Sequence, residues 1–285
     1  MFSFVILHYK NIDETIECLT YLKRLDLTDA HIIIVDNNTL STSEEKLIKR
    51  FTNDILKLDQ NYGFAKANNK GIEYAKKKYH SKFYIVMNND VYIGDKDFLN
   101  IISKDYEKYK FAMLGPLITS PSGESVNPFP VIKDIASLNS EIKRCEKLVS
   151  IYNNPISYWL LQTGIKIKHF LKKTVVPVNG SKVLTDAPLH GCCIVFSKDY
   201  IDKYKYPFYN ETFLFHEEEF LYQRVLKDNL VSLYDPKLTV FHKEGSSIKK
   251  SNKKERLSKL FREKTRLKSL HLLLESMQMG ENNEK

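Results

Sequence analysis

Short apolar runs alternate with amphipathic stretches along the first 120 residues of the chain. The runs have the length and β-branched composition of buried strands, and the stretches between them place apolar side chains at helical spacing. This alternation is typical of a mostly parallel sheet with helices on its faces. Asn11, with Glu14 three residues later, should cap the first helix. We predict strands at residues 2–7, 31–35, 55–58, 83–87 and 112–118, and helices after Asn11, at 43–51 and 63–79, and after Asp97.

The pattern is less regular after residue 120. Prolines at 121, 128 and 130 mark a loop, and residues 131–180 are helical in places without a sheet pattern. A strand pattern returns in HGCCIVFS, followed by a helix in HEEEFLYQRVLKD and a strand in VSLYDPKLTVFH. Residues 251–277 place leucines on one helical stripe and lysines elsewhere, which predicts an amphipathic basic helix.

Chain length and cysteine usage limit the class of protein. A chain of 285 residues suits one large α/β domain, or a domain with a substantial appendage. The four cysteines form no CxxC pair, which favours reduced thiols in the cytosol. The N-terminus, MFSFVILHYK, lacks a basic region and predicts a first strand rather than a signal peptide. No stretch approaches the ~20 apolar residues that cross a bilayer, so we expect a cytoplasmic protein.

Positive charge is unevenly spread along the chain. The net charge is +9, and basic residues dominate between Glu141 and Lys182 and again after Lys249. Such excess attracts nucleic acid, anionic lipid or phosphorylated substrates, although a solvated surface is an equal alternative for any one cluster. No nucleic-acid-binding motif occurs, and the aromatic residues lie in strands rather than in a basic stripe. We therefore expect no nucleic-acid partner.

Polar residues follow two of the predicted strands, where ligands gather in α/β sheets. Asp36 could accept a hydrogen bond from a nucleotide base or ribose, or it could be a turn residue. Asn88-Asn89-Asp90 could offer hard oxygen ligands to Mg²⁺ or Mn²⁺ with a diphosphate, or form a turn. The first strand ends in His8-Tyr9-Lys10-Asn11 without glycine, which argues against dehydrogenases and methyltransferases, and no P-loop occurs.

Two further features permit a chemical or a structural explanation. Glu217, Glu218 and Glu219 open an apolar helix, where the helix dipole alone would favour acids. His242 follows a strand, and a single histidine in that position is more often structural. Gly245 and Ser246 nearby favour a functional role for His242.

Six motifs in order carry a family resemblance: VDNN, NYGFAKANNKGI, VMNNDV, HGCCIVFS, FHEEEFLYQR and FHKEGSS. Together they resemble the family 2 glycosyltransferases of the GT-A fold, especially the bacterial group that adds rhamnose or galactofuranose to surface polysaccharides. The resemblance spans Phe2 to about Ser247. It implies a Rossmann-like, mostly parallel central sheet with helices on both faces, followed here by a C-terminal amphipathic helix.

The resemblance also implies roles for individual residues. Asp36 matches the acid that contacts the base, and Asp90 and His242 match the metal-binding acid and the histidine that closes the metal–diphosphate site. Glu218 matches the catalytic base, with Glu217 beside it. Binding of the nucleotide-sugar is implied for His8, Tyr9, Asp36, Gly63, Phe64, Asn68, Asn69, Asn88, Asn89, Gly191 and Arg224, the last as a partner of the carboxylates.

Three departures from the family pattern change the expected chemistry. Asn88 stands where the family has the first Asp of its DxD-like element, so one negative charge must come from the donor diphosphate. Glu218 is one methylene longer than the family's aspartate, and Phe220 stands where many relatives have another acid.

The resemblance implies an inverting, metal-dependent glycosyltransferase that uses Mg²⁺ or Mn²⁺. It would move a sugar from a UDP- or dTDP-sugar to a saccharide hydroxyl in bacterial surface polysaccharide synthesis. The alternative is a non-catalytic sugar-nucleotide or polysaccharide-binding protein on the same fold. We expect a nucleotide-sugar-binding half at residues 1–120, an acceptor-binding and catalytic half at 121–248 with a helical insertion at about 131–180, and a basic amphipathic helix at 249–285.

Acceptors of such enzymes are often linked to a membrane lipid diphosphate. The basic amphipathic segments at Ile151–Lys173 and Ser251–Met277 could lie on the inner face of the cytoplasmic membrane. Equally, the C-terminal helix could pack its leucines on the catalytic domain or on a second copy of the chain. The sequence leaves both alternatives open.

Overall fold

The computed structural model describes residues 1–123, 125–168, 182–243 and 252–282. These residues form two compact units. The sheet unit contains residues 1–131, 182–211 and 217–243, and the helical unit contains residues 132–168, 212–216 and 252–282. These units are defined by how the residues pack. The division expected from the sequence, at residues 1–120, 121–248 and 249–285, was based on function and stays a prediction.

The sheet unit alternates strands and helices, as predicted. Its strands are β1 Phe2–His8, β2 Ala30–Asp36, β3 Asp54–Lys57, β4 Phe83–Asn88, β5 Val91–Tyr92, β6 Met113–Thr119, β7 Cys193–Ser197 and β8 Ser232–His242. Its helices are α1 Ile12–Leu22, α2 Thr42–Ile48, α3 Ala65–Tyr79, α4 Phe98–Tyr109, α7 Lys198–Lys203 and α8 Glu217–Lys227, and the helical unit holds α5 Ile135–Asn153, α6 Pro155–Lys168 and α9 Asn252–Asn282.

One twisted sheet carries the strands in the order β3-β2-β1-β4-β7-β6-β8-β5. Pairs β1–β2, β2–β3, β1–β4 and β6–β8 are parallel, whereas β4–β7, β6–β7 and β5–β8 are antiparallel. The mixed, mostly parallel α/β fold predicted from the sequence is therefore confirmed. The parallel half brings the ends of β1, β2 and β4 to the same edge of the sheet.

The strands are buried on both faces, which explains their continuous apolar sequences. In β1, Phe4 and Ile6 face one core with Leu19 of α1, whereas Val5 faces the other core. Helix α3 lies close to this second face at Gly71, where an added Cβ would stand 2.6 Å from Val5 Cγ1 and 2.5 Å from a Val35 methyl carbon.

Two local predictions near the strand ends are wrong. Asn11 does occupy the position before α1, but its side chain makes no capping hydrogen bond. Gly63 lies outside α3, in a turn with φ of +76°, and the helix starts only at Ala65. A positive φ is accessible to glycine without steric cost, so the turn rather than the helix accounts for this residue.

The helical unit packs α5 against α9 through a small apolar core. Its buried residues include Leu138, Ile142 and Cys145 on α5 and Leu270 and Leu273 on α9. The predicted C-terminal helix is thus present, and part of its leucine stripe is covered within this unit. Residues 169–173 and 251 of the two predicted amphipathic segments lie outside the described residues. Among the residues that are described, no helix combines the length and hydropathy needed to cross a bilayer.

Candidate functional site

The chain reverses direction after β4 and brings Asp90 to the end of β8. Asn88 N–H donates to Cys192 O (2.9 Å), and β5 pairs with β8 so that Val91 lies opposite His242. As a result, Asp90 Oδ1 lies 3.3 Å from His242 Nε2, and both side chains are largely buried. The structure therefore brings together the two residues that the family resemblance assigns to metal binding.

The spacing of this pair suits a shared cation. Neighbouring ligands of an octahedral ion with ~2.1 Å bonds stand about 3 Å apart, close to the observed separation. Within the described ranges, no group of three or more His, Cys, Asp or Glu side chains is arranged to hold a metal. Asp90 and His242 would thus supply two ligands, and the donor diphosphate and water would have to complete the shell. Gly245 and Ser246 of the HxxGxS pattern lie outside the described residues.

Asn89 anchors the turn that carries Asp90. Its Nδ2 donates to Asn11 O (3.2 Å) and to Thr15 Oγ1 (2.9 Å). Thr15 Oγ1 also shares a hydrogen bond of 2.7 Å with His8 Nδ1. The ends of β1 and β4 are thereby joined through α1, and the amide nitrogen of Asn89 is engaged within the protein rather than presented to a ligand.

His190 adjoins the metal-binding pair, and the sequence analysis did not single it out. Its ring centroid lies 6.1 Å from that of His242, and its Nδ1 accepts from Cys192 N–H (3.0 Å). Burial, helped by the neighbouring His242, lowers the pKa of His190 to about 4. The imidazole is therefore neutral near pH 7. The motif HGCC contains this residue, but no spacing rule separates it from an ordinary histidine before a strand.

Gly191, the residue after His190, contacts Glu218. Gly191 N–H donates to Glu218 Oε1 at 2.9 Å. A Cβ at position 191 would stand 3.0 Å from that oxygen and 3.5 Å from the Phe64 ring, so a glycine permits this close approach. Glu218 lies in the first turn of α8 and is partly exposed, whereas Glu217 and Glu219 on either side are buried. Asp90, His242, His190, Gly191 and Glu218 thus form a continuous series within the sheet unit.

The loop expected under the nucleotide is held by Asn37, another residue that the sequence analysis did not single out. Its Nδ2 donates to Asn61 Oδ1 (2.9 Å) and Gly63 O (3.0 Å), and its Oδ1 accepts from Tyr62 N–H (2.8 Å). Phe64 then packs edge-on against Phe208, with ring centroids 5.4 Å apart. The second polar position of VDNN therefore shapes the loop.

Asp36 has one oxygen in a turn. Its Oδ1 accepts from Thr39 N–H (2.8 Å) and Leu40 N–H (3.1 Å), which is the turn role that the sequence left open. Oδ2 makes no hydrogen bond within the described part of the chain. The side chain can therefore serve the turn and still accept a hydrogen bond from a ligand.

His8 and Tyr9 have different environments, although both were expected to line the base. His8 is fully buried, its Nε2 has no partner among the described residues, and burial lowers its pKa. Tyr9 is exposed, with Lys10 Nζ 4.8 Å from its ring centroid. Of the two, only the ring of Tyr9 is placed to stack on a ligand.

The two asparagines of α3 also differ. Asn69 exchanges two hydrogen bonds of 2.9 Å with the backbone of Phe208, which fixes a loop. Asn68 is fully buried, and neither its amide nitrogen nor its oxygen has a partner in the described part of the molecule. An unsatisfied buried polar group costs about 1–3 kcal/mol, and the Asn68 amide is as fully enclosed by protein as the His8 ring is.

The prediction that Arg224 is a partner of the carboxylates is wrong, because its guanidinium contacts other groups. Its Nη1 donates to Tyr206 O (2.9 Å) and Pro207 O (2.7 Å), and its guanidinium lies 4.3 Å from the Tyr204 ring centroid. Arg224 follows Glu218 by six residues, or about 9 Å along a helix, which is too far for an ion pair. It holds the loop before α8 instead.

Comparison with known proteins identifies similar chains. The family model Glycosyl transferase family 2 matches residues 3–165. No curated protein matches the sequence at a significant level. TarS 1-349 from S. aureus has a similar fold, with a TM-score of 0.54 at 12% identity over 92% of this chain and 71% of that one.

Two further solved structures share the fold. The mannosyltransferase PcManGT from Pyrobaculum calidifontis, in complex with GDP-Man and Mn²⁺, has a TM-score of 0.54 at 9% identity over 86% of this chain. GalNAc-T7 with UDP, GalNAc and Mn²⁺ has a TM-score of 0.57 at 11% identity over 87% of this chain. This chain spans 57% and 44% of those two structures, respectively. At these identities the likeness concerns the fold alone.

Proposed function

Because the chain belongs to glycosyl transferase family 2, we propose that it transfers a sugar from a nucleoside-diphosphate sugar to a saccharide hydroxyl with inversion. The observation that carries the proposal is the series from Asp90 and His242 through His190 and Gly191 to Glu218. The series begins with a pair whose spacing suits a cation and ends with a carboxylate, and a transfer of this kind needs both groups.

The donor would lie along the ends of β1, β2 and β4. Asp36 Oδ2 would accept from the base, a uracil or thymine, and the ring of Tyr9 would stack beside it. Asp90 and His242 would hold Mg²⁺ or Mn²⁺ with the diphosphate. A bound divalent cation would stabilise the charge that the nucleoside diphosphate gains as it departs. Two similar structures contain Mn²⁺, which supports this choice of cofactor.

Glu218 would act as the general base. Its Oε1 accepts a hydrogen bond from Gly191 N–H, which helps to orient the carboxylate. It would take the proton of the acceptor hydroxyl while that oxygen bonds to the anomeric carbon from the face opposite the diphosphate. The bond from the anomeric carbon to the diphosphate oxygen breaks, and its electron pair leaves with the nucleotide. General-base assistance contributes roughly 10²–10⁴-fold to the rate.

The substitution Glu218→Gln tests this role. We expect at least a 10²-fold loss of transfer with donor affinity retained, since the amide keeps the shape but cannot accept the proton. Glu211→Gln, which removes one exposed carboxylate from the same unit, should leave both unchanged. Metal-dependent release of nucleoside diphosphate from a panel of UDP-, dTDP- and GDP-sugars measures the activity. Wild-type protein that binds a nucleotide-sugar but never releases its diphosphate would instead support the non-catalytic alternative.

We further propose that the helical unit docks on an anionic membrane surface, where a lipid-diphosphate-linked acceptor of a bacterial surface polysaccharide would be reached. Ile156 and Trp159 of α6 are 69% and 63% exposed, and Phe261 of α9 is 57% exposed. Lys264 and Lys268 are exposed on the same side of α9 as Phe261. Apolar side chains flanked by lysines favour insertion among anionic headgroups. Oligomerisation through α9 is the rival explanation for these exposed residues.

Trp159 is the single tryptophan of the chain and therefore reports docking directly. Its emission should shift to the blue with vesicles containing phosphatidylglycerol at low salt, and not with phosphatidylcholine vesicles. Phe261→Ser should weaken the shift, whereas Lys77→Ser in the sheet unit should not. No shift at low salt would refute membrane docking, and a dimer by sedimentation would favour the rival.

A further inference from the structure

We propose that His190 is a further substrate-contacting residue, whose Nε2–H donates a hydrogen bond to the diphosphate oxygen that leaves the anomeric carbon. This inference rests on the proposed function and names a group that the family resemblance did not assign. It follows from the tautomer, the rigidity and the position of one imidazole.

The tautomer of His190 is set by its own backbone surroundings. Nδ1 accepts from Cys192 N–H at 3.0 Å, and a backbone N–H can only donate. In a neutral imidazole one nitrogen accepts and the other carries the proton. The proton must therefore lie on Nε2, which is the nitrogen that points away from the Cys192 backbone.

One further contact holds the backbone of His190 and another holds its ring. His190 N–H donates to Asn127 Oδ1 (2.8 Å), and the buried Asn127 donates in turn to Pro116 O (2.9 Å) on β6. The ring of Phe129 meets the imidazole edge-on, with centroids 5.0 Å apart at 77°. A donor that is fixed before the substrate binds needs no reorganisation when charge develops, and this is the condition for strong electrostatic stabilisation.

The position of the ring matches the bond that must break. His190 lies next to His242 on one side, and on the other side its chain neighbour Gly191 holds Glu218. If a metal at Asp90 and His242 holds the diphosphate and Glu218 holds the acceptor, the anomeric carbon lies between them. His190 Nε2 forms no hydrogen bond with the described residues and is not enclosed. It can therefore reach a ligand in this gap.

The transfer step needs no proton from His190. As the bond from the anomeric carbon lengthens, its electron pair moves onto the diphosphate oxygen, and the Nε2–H hydrogen bond to that oxygen shortens. The proton remains on the imidazole, and the proton of the acceptor passes to Glu218. His190 thus stabilises the transition state as a neutral donor. A packing role, in which His190 merely links Cys192, Asn127 and Phe129, is the alternative.

Two substitutions separate the two nitrogens. His190→Asn keeps an acceptor near the position of Nδ1 but has no donor at Nε2, whereas His190→Gln places an amide near Nε2. We expect the Asn variant to lose about 10²-fold in kcat, with KM for the donor changed less than threefold, because the contact forms fully only in the transition state. The Gln variant should retain at least a tenth of the wild-type kcat. Both should unfold within a few degrees of the wild type.

Wild-type kcat in the Asn variant would overturn the inference, as would equal impairment of both variants with lowered thermal stability, since that is the result of a packing role. A rise in donor KM alone would place the contact on a sugar hydroxyl and would also overturn it.

A measurement without turnover distinguishes failure of this inference from failure of the proposed function. In protein labelled with ¹⁵N-histidine at pH 7.5, His190 should show the Nε2–H tautomer, and its Nε2 signal should move on addition of UDP and Mg²⁺. The exposed His80 should stay unchanged. An Nδ1–H tautomer, or no response to UDP and Mg²⁺ while UDP binds, would refute the inference. If the protein gives the expected NMR response but has no transferase activity, the contact between His190 and the diphosphate stands and the proposed function is wrong.

Discussion

The two compact units use polar and apolar side chains in opposite ways. The sheet unit buries His8, Asp36 and Asn68 at or near its strand ends, whereas the helical unit exposes Trp159 and Phe261 on its helices. Buried polar groups and exposed aromatic groups both cost free energy unless a partner compensates for them. These costs are consistent with the two partners proposed above, a polar small molecule for the sheet unit and an apolar surface for the helical unit.

The backbone explains why the two kinds of site arise where they do. Strands β1, β2 and β4 run parallel and end together, so the loops that follow them bring polar residues to one edge. In α5, α6 and α9 the backbone groups are satisfied along each helix, so a single face can carry apolar residues without disturbing the fold. The polar candidate residues therefore lie at strand ends, and the exposed apolar residues lie on helix faces.

The largest expected effect is at the carboxylate of the sheet-unit site. Asp90→Asn keeps the size of the side chain but removes the carboxylate charge beside His242. We expect a loss of 10²–10³-fold in metal-dependent release of nucleoside diphosphate, because the leaving group loses its stabilisation. Asp29→Asn, at the opposite end of β2, should have no effect. Wild-type activity in the Asp90 variant would show that the Asp90–His242 pair has no part in the mechanism. The proposed contrast between the partners of the two units would then lose its support in the sheet unit.

Next in size is the close packing that supports the donor loop. Gly71→Ala would place a methyl group 2.5–2.6 Å from carbons of Val35 and Val5, so α3 must shift. We expect the free energy of unfolding to fall by about 1–3 kcal/mol despite the better helix propensity of alanine. Lys77→Ala, on the exposed face of the same helix, should change it by less than about 0.5 kcal/mol. Chemical denaturation measures both, and adding Val5→Ala should recover part of the loss if the clash is the cause.

The sequence predicted the sheet unit well because its signals are local. Apolar runs that stop at VDNN and VMNNDV mark strand ends, and parallel strands must end together. The positions of Asn37, His190 and Arg224 were not predicted, because each depends on hydrogen bonds to residues far along the chain, such as Gly63, Asn127 and Pro207. In α6 the sequence showed apolar residues and lysines but not which side would be covered, since that depends on packing against α5 and α9.

A buried acid pair gives a smaller, pH-dependent effect. Asp105 of α4 and Asp235 of β8 are both buried, and burial, together with the charge of Asp235 and a hydrogen bond to it, raises the pKa of Asp105. Lys237 and Lys108 oppose this shift. The folded protein therefore binds the proton more tightly than the unfolded chain does. The resulting stability is complete below about pH 4, the ordinary range of Asp, and is lost as the pH rises towards neutral.

Asp105→Asn should remove this dependence. We expect the variant to be more stable than the wild type by about 1–2 kcal/mol at pH 8 and nearly equal to it at pH 4 and below, because the amide cannot ionise beside Asp235. The exposed Asp59→Asn serves as the control. An equal difference in unfolding free energy between variant and wild type at the two pH values would contradict the raised pKa of Asp105. It would also weaken the view that the sheet unit accepts costly buried charge away from its site.

The smallest expected effect is that of a substitution at Trp159 on α6, and its neighbour Tyr158 is the reference that makes it a test of the helical unit. Tyr158 is 6% exposed, accepts a hydrogen bond from Gln162 (2.6 Å) and packs edge-on against Tyr152, whereas Trp159 is 63% exposed. Tyr158→Ser should cost about 2–4 kcal/mol in unfolding free energy, but Trp159→Ser should change it by less than about 0.5 kcal/mol. If the Trp159 variant loses as much as the Tyr158 variant, the outer face of α6 is covered in solution. If the stability lost in the Trp159 variant then depended on protein concentration and disappeared on dilution, a second copy of the chain would be what packs on α6. The contrast between the two units would no longer hold.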